Sequence, residues 1–215
     1  MEPTVIYPPF FSKGELKGGF LYLGLKKNIK KVDFEAALKK AEDITKYLNF
    51  IEVKKGDFYY IPAGLIHTIG KGVKIFEPQQ SSNITYRVYD YNRLDLDGIR
   101  RELHIEESLK AINFETDFNK VDKYKASRIS NYLLSSKYFD VIEYEVKLKD
   151  NLEIKKQSKS YEYYFIVEGA CRIIFDDCKK DFGVNDFFMI PYKTKSLNIR
   201  ATGFGNLKII RVLFN

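Results

Sequence analysis

One short pattern occurs twice in this chain. Gly56-Asp57-Phe58-Tyr59-Tyr60-Ile61-Pro62 is echoed by Val184-Asn185-Asp186-Phe187-Phe188-Met189-Ile190-Pro191. Each copy is a turn, an acidic residue, two aromatics, an isoleucine and a proline. An echo at this separation points to two related β units rather than one continuous fold. The copies then diverge. Ala63-Gly64-Leu65-Ile66-His67 follows the first, whereas Tyr192-Lys193-Thr194-Lys195 follows the second. The second copy has no histidine, and no metal site is expected there.

The surrounding residues agree with a mainly β chain. Ile51–Val53, Phe58–Ile61, Val73–Phe76 and Thr85–Tyr91 read as strands bounded by Gly, Pro and Asp turns. From Lys137 onward, Phe139–Val146, Tyr161–Val167, Cys171–Phe175, Asp186–Ile190, Ser196–Ala201 and Leu207–Phe214 continue the pattern, which suits a sandwich or jelly-roll barrel. One helix is expected over 32–49. Phe34, Leu38, Ala41, Ile44 and Leu48 recur at helical spacing there, with Asp33 placed to cap. Residues 95–113 are polar, with weak helical character at Leu96–Leu103 and Ile105–Ile112, and hold the best internal boundary.

The formal charge of +7 invites a nucleic-acid reading. Lys and Arg alternate with Asp and Glu instead of forming a basic stripe interleaved with aromatics, so no nucleic-acid partner is expected. The densest run, Lys26-Lys27 with Lys30-Lys31, reads as a solvated surface. No apolar run approaches membrane-spanning length and the N-terminus does not read as a signal peptide, so a cytoplasmic protein is expected. Its two cysteines, Cys171 and Cys178, would then be reduced and serve packing on either side of a hairpin.

Two residues stand out as chemistry. His67 follows a Pro-Ala-Gly turn that can aim an imidazole into a cavity, where it could bind a divalent ion; the competing reading is a hydrogen-bonded core or surface histidine. Gln80, Ser82, Thr85 and Arg87 alternate, so a strand would present them on one face. A guanidinium there requires an anion, either a substrate oxygen or a structural carboxylate such as Glu77 or Asp90. His104 reads as exposed and inert.

Residues 25–93 resemble the type I mannose-6-phosphate isomerases, zinc enzymes of the cupin superfamily. The resemblance is carried by Val53-Lys54-Lys55-Gly56-Asp57, Ile61-Pro62-Ala63-Gly64, Ile66-His67, Ile69-Gly70, Gln79-Gln80-Ser81-Ser82, Thr85-Tyr86-Arg87 and Tyr89-Asp90. Residues 94–215 resemble that family's C-terminal half more loosely. The resemblance implies two cupin-like jelly-roll barrels: a partial one at 1–94, a connector at 95–136 and a second barrel at 137–215. It implies interconversion of mannose 6-phosphate and fructose 6-phosphate by zinc-assisted proton transfer between C1 and C2. His67 would be the metal ligand, Arg87 the catalytic arginine, and Gln80, Ser82 and Arg87 would bind the phosphosugar.

The chain also departs from that family. The Gln-x-His-Pro and Lys-x-Glu motifs that supply the other zinc ligands are missing, Pro78 stands where an aliphatic residue is usual, and Asn83 where Asp is usual. Tyr7-Pro8-Pro9-Phe10 through Lys17-Gly18-Gly19 is similar to the family's start, whereas Leu21–Lys27 is similar to a segment well downstream. A deletion joining them near Gly19–Leu21 would explain both, and the edges it exposes would favour homo-oligomers. Two other readings stay open: an inactive cupin that binds a sugar or a partner protein, and a half-enzyme completed in trans.

Overall fold

The computed structural model describes residues 4–6 (backbone only), 19–54, 56–80, 84–91, 93–115, 130–156 and 160–215, with the side chains of 130 and 131 left aside. The chain divides into two units, Met1–Asp122 and Lys123–Asn215. It is mainly β, as expected.

In the first unit, β1 (Thr4–Ile6) pairs with β4 (Tyr59–Ile61). A three-stranded sheet has the order β3 (Leu48–Glu52), β2 (Phe20–Leu25), β5 (His67–Ile69), all antiparallel. Leu21 and Leu23 alternate into a small core with Val53, Tyr59, Ile61 and Leu65. A second core joins α1 (Lys31–Lys39) to α2 (Ile105–Ala111) through Phe34, Leu38, Ile44 and Leu109.

The helix expected over 32–49 is shorter than its apolar spacing suggests. α1 ends at Lys39, and Ala41 adopts φ +51°. Its N–H donates to Leu38 O at 3.0 Å, and Glu42 N–H donates to Ala37 O at 3.0 Å. This pair of bonds is a Schellman C-cap, a position that usually carries glycine. Ile44 then begins a 3-10 turn (Ile44–Tyr47), capped when Asp43 Oδ1 accepts from Thr45 N–H at 2.9 Å. Leu48 already belongs to β3. Asp33, expected to cap, lies in the first turn, and Lys30 occupies the N-cap without a side-chain bond.

The second unit is a β-sandwich. One sheet has the order β11 (Cys178–Phe182), β10 (Ala170–Phe175), β13 (Ser196–Thr202), β8 (Asn151–Lys155). The other has the order β12 (Phe187–Ile190), β9 (Glu162–Glu168), β14 (Leu207–Phe214), β7 (Phe139–Val146), β6 (Ser130–Ser135). Leu197, Ile199 and Ala201 from one sheet meet Ile142, Ile166 and Leu207 from the other in a single core. Alternation along β13 buries every second side chain, as a half-exposed antiparallel strand requires. Both cysteines are free, and the β10–β11 hairpin pairs Phe175 with Cys178. Cys171 is buried, which pushes its thiol up to about 12, with Asp181 and Asp186 adding to the shift.

Residues 95–136, read as a connector, are divided between the units. α2 packs through Leu109 into the first unit's helical core, and β6 is the edge of the second unit's larger sheet.

The sequence echo is also an echo of geometry. Gly56 and Asn185 both take left-handed φ, +87° and +71°. Asp57 Oδ2 accepts from Lys54 N–H at 2.8 Å, and Asp186 Oδ2 accepts from Gly183 N–H at 2.7 Å. After each proline the chain turns alike: Leu65 N–H donates to Pro62 O at 3.1 Å, and Thr194 N–H to Pro191 O at 3.2 Å. In this register Ser196 occupies the place of His67.

Inside the sandwich of the second unit lies a buried ion pair. Arg211 donates from Nη2 to Glu162 Oε1 at 2.9 Å and from Nε to Oε2 at 3.0 Å. Its Nη1 donates to the Tyr144 hydroxyl at 3.1 Å, and the Tyr164 hydroxyl donates to Glu162 Oε2 at 2.9 Å. Burial opposes the Arg211 cation most strongly, but the hydrogen bonds and charge of Glu162 together with the neighbouring Tyr164 and Tyr144 hydroxyls outweigh it, and its pKa is raised.

Candidate functional site

The turn after β4 delivers His67. Gly64 takes φ +84°, and a Cβ there would sit 2.8 Å from Ala111 O, at the end of α2. Its own carbonyl accepts from Asn113 N–H at 2.9 Å, so the turn is tied to the residues following the helix. Only glycine allows this approach at this φ. From there Gly24 N–H donates to Ile66 O at 2.8 Å, and His67 pairs with Leu23 across β5 and β2.

His67 is exposed on the wall of a cavity of about 340 Å³, and its Nδ1 lies 3.1 Å from Leu65 O. With Nδ1 donating to that carbonyl, Nε2 is the nitrogen left free to face a ligand. Gln80 and Arg87 line the same cavity, so the structure brings together three of the four residues singled out in the sequence. Ser82 lies outside the described residues.

The expected strand at Thr85–Tyr91 does not form a ladder. Residues 84 to 89 all line the cavity, not alternate ones alone. The reason is local. Arg87 N–H donates to His104 Nδ1 at 3.3 Å, and His104 N–H donates to Arg87 O at 2.8 Å, so the backbone groups a neighbouring strand would use are already taken. His104, read as exposed and inert, is half-buried and holds this segment. Val73–Phe76 likewise lies outside any named strand.

Arg87 itself is half-buried, and its Nη1 donates to Glu102 O at 3.3 Å. Among the described residues no carboxylate forms an ion pair with it. Asp90, one suggested partner, is instead held by Arg93 at 2.9 Å and by Arg101. The guanidinium thus keeps donors for an anion that the described residues do not provide.

Glu77, the other suggested partner of Arg87, lines the cavity near His67. Partial burial raises its carboxyl above the ordinary range even though the side chain reaches solvent, while the charge of His67 pulls it back. Ser108, on α2, is buried against the cavity as well. Sequence reading passed over Ser108, although it stands among Ile105, Leu109 and Ile112, an apolar helical stripe in which a hydroxyl is out of pattern.

The zinc ion implied by the family resemblance does not fit the described residues. Catalytic zinc takes about three protein ligands. Among the described residues no three His, Cys, Asp or Glu side chains gather into a metal site. His67 alone has the geometry of one ligand. No helix among the described residues is long and apolar enough to cross a membrane.

No family model matches the chain. It is similar to the mannose-6-phosphate isomerase ManA of Bacillus subtilis, at 33% identity over 148 residues, covering 67% of this chain and 46% of that protein. The mannose-6-phosphate isomerase of Streptococcus mutans is 33% identical over 172 residues, covering 79% of this chain and 52% of that one. The crystal structure of the mannose 6-phosphate isomerase from Bacillus subtilis superposes with a TM-score of 0.81 at 26% identity, covering 98% of this chain and 64% of that one. A phosphomannose isomerase variant from Salmonella typhimurium gives a TM-score of 0.71 at 12% identity, a likeness of fold alone. The chain spans about half the length of the curated relatives it matches. These relatives bear out the family resemblance and the cupin-like fold.

Proposed function

We propose that this chain, a relative of the mannose-6-phosphate isomerases over about half their length, acts on a phosphosugar and interconverts mannose 6-phosphate and fructose 6-phosphate. One observation carries the reading: His67, Gln80 and Arg87 line one cavity in the first unit. Arg87, with no carboxylate partner among the described residues, is the group that would meet substrate charge.

In the reaction a proton leaves C2 of the open-chain aldose and negative charge develops on O1; O1 then gains a proton as O2 loses one, and the C2 proton is returned to C1 to leave the C2 ketone. Arg87 would stabilise the developing oxyanion by charge-assisted hydrogen bonds. Glu77 would carry the proton, since a carboxyl raised by burial works nearer neutral pH than an exposed one. His67 and Gln80 would hold sugar oxygens. Ser82 is proposed as a further sugar contact on its position in the family motif.

The test is direct. Purified chain is incubated with mannose 6-phosphate, with and without added zinc, and fructose 6-phosphate is measured. Formation that Arg87→Ala reduces by 100-fold or more, roughly the loss of an oxyanion donor, supports the proposal. No product with or without zinc would overturn it. A second reading draws on the missing metal cluster among the described residues: the cavity binds the sugar phosphate without turning it over. Saturable binding of mannose 6-phosphate with no product would select that reading. Pairing between copies through β3 and β5, the outer strands of the described three-stranded sheet, is also proposed, and a strictly monomeric sedimentation profile would remove it.

A further inference from the structure

The wall of the cavity contains two polar atoms that no described protein group satisfies. Ser108 is 2% exposed, and its Oγ has no hydrogen-bond partner among the described residues; the Oε1 of Gln80 is likewise buried and unpartnered among them. Both residues line the cavity that holds His67 and Arg87. Buried polar atoms are nearly always satisfied, so such orphans at a cavity wall mark places where a ligand supplies the partner.

The helix explains why Ser108 is left over. Its backbone N–H donates to His104 O at 2.9 Å, and its carbonyl accepts from Ile112 N–H at 2.8 Å, as in any regular turn. A helical serine usually returns its hydroxyl to a carbonyl one turn earlier; this one does not. Ile105 and Ile112 pack with the core on the same stripe, so an apolar residue at 108 would be the ordinary choice.

We infer that Ser108, together with Gln80, binds hydroxyl groups of an open-chain polyol phosphate, making Ser108 a specificity-determining residue for the carbon chain of the ligand. The inference rests on the phosphosugar reading above and deepens it. A hydroxyl both donates and accepts. An array of sugar hydroxyls can therefore satisfy a serine oxygen and an amide oxygen at once, whereas inorganic phosphate, largely an acceptor, suits Arg87 but not Gln80 Oε1.

The experiment uses the full chain, with sorbitol 6-phosphate as a ligand that cannot be isomerised and inorganic phosphate as the control, both titrated calorimetrically. Ser108→Ala is expected to weaken sorbitol 6-phosphate about 5- to 10-fold, the effect of one hydrogen bond, and to leave phosphate affinity unchanged. The same variant is expected to melt slightly above the wild type in the absence of ligand, because it removes an unsatisfied buried hydroxyl. Unchanged affinity for sorbitol 6-phosphate in Ser108→Ala would overturn the inference and leave the isomerase reading standing. A lower melting temperature for the free variant would also overturn it, by showing that the hydroxyl is already partnered. Failure of the wild type to bind either ligand would remove the phosphosugar reading, and the inference with it.

Discussion

Arg87 and His104 hold each other through the backbone. The N–H of Arg87 donates to the His104 ring at Nδ1, and the N–H of His104 donates to the Arg87 carbonyl. An imidazole that accepts at Nδ1 carries its proton on Nε2, so this clamp uses the neutral ring in one tautomer. It fixes the main chain beneath the guanidinium, whose Nη1 donates to Glu102 O while the remaining donors stay available for an anion.

Replacing His104 by alanine should therefore loosen Arg87 without touching the ligand. The ring bond is worth about 1 kcal/mol, roughly a fivefold effect. Inorganic phosphate and mannose 6-phosphate should both bind about fivefold more weakly to His104→Ala, as measured by calorimetry. His104→Asn, which keeps an acceptor, should recover part of the loss. Equal weakening in both variants would show that ring packing beside Tyr86, not the hydrogen bond, is what matters.

Ala41 provides a second test. It occupies the left-handed C-cap position of α1 at φ +51°, a conformation costing an L-residue roughly 1 kcal/mol that glycine avoids. Ala41→Gly should raise the melting temperature by about 2–4 °C. Thermal unfolding followed by circular dichroism would read this out, and a fall would show that glycine's extra freedom in the unfolded chain outweighs the relief.

The same alanine shows where the sequence was legible and where it was not. Alternating and uninterrupted apolar runs marked β7, β9, β10, β12, β13 and β14 because their burial is written in their side chains. β11, Cys178–Phe182, was invisible: its central residues are charged and mostly exposed, and it is held to β10 by the backbone ladder and the exposed Arg172–Asp181 ion pair instead of by an apolar pattern. The end of α1 was hidden because alanine, the best helix former, holds a position that usually belongs to glycine. His67, Gln80 and Arg87 were legible as a motif. The role of His104 was not, since a lone histidine in a polar stretch carries no spacing that reveals its contact with Arg87. Ser108 could have been read from its place among Ile105, Leu109 and Ile112.

Asp90 sets a pH limit on the segment that ends the cavity wall. Its hydrogen bonds from Arg101, and then from Arg93, outweigh burial and hold its carboxyl below the ordinary value of 3.8. A depressed carboxyl contributes stability that is fully present above the unfolded value and is lost as pH falls through the folded one. Asp90→Asn should therefore lower the melting temperature at pH 7 and leave it nearly unchanged once the pH is below the folded value. Equal destabilisation at both ends would assign the effect to packing and not to charge.

The Glu162–Arg211 pair makes the sharpest prediction for the second unit. Glu162 is fully buried and Arg211 is 6% exposed, so neither can turn to water if its partner is removed. Glu162→Gln keeps the shape but leaves the guanidinium without its counter-charge and weakens the bond from the Tyr164 hydroxyl. Breaking a buried pair from one side costs about 3–5 kcal/mol, because the remaining charge stays desolvated. Replacing both partners by apolar residues of similar size, Glu162→Leu with Arg211→Met, removes both desolvation costs and should restore most of that loss. Urea unfolding of the single and double variants would measure it. If the double variant is as unstable as Glu162→Gln, the ion pair itself, not the relief of an orphaned charge, holds the sandwich together.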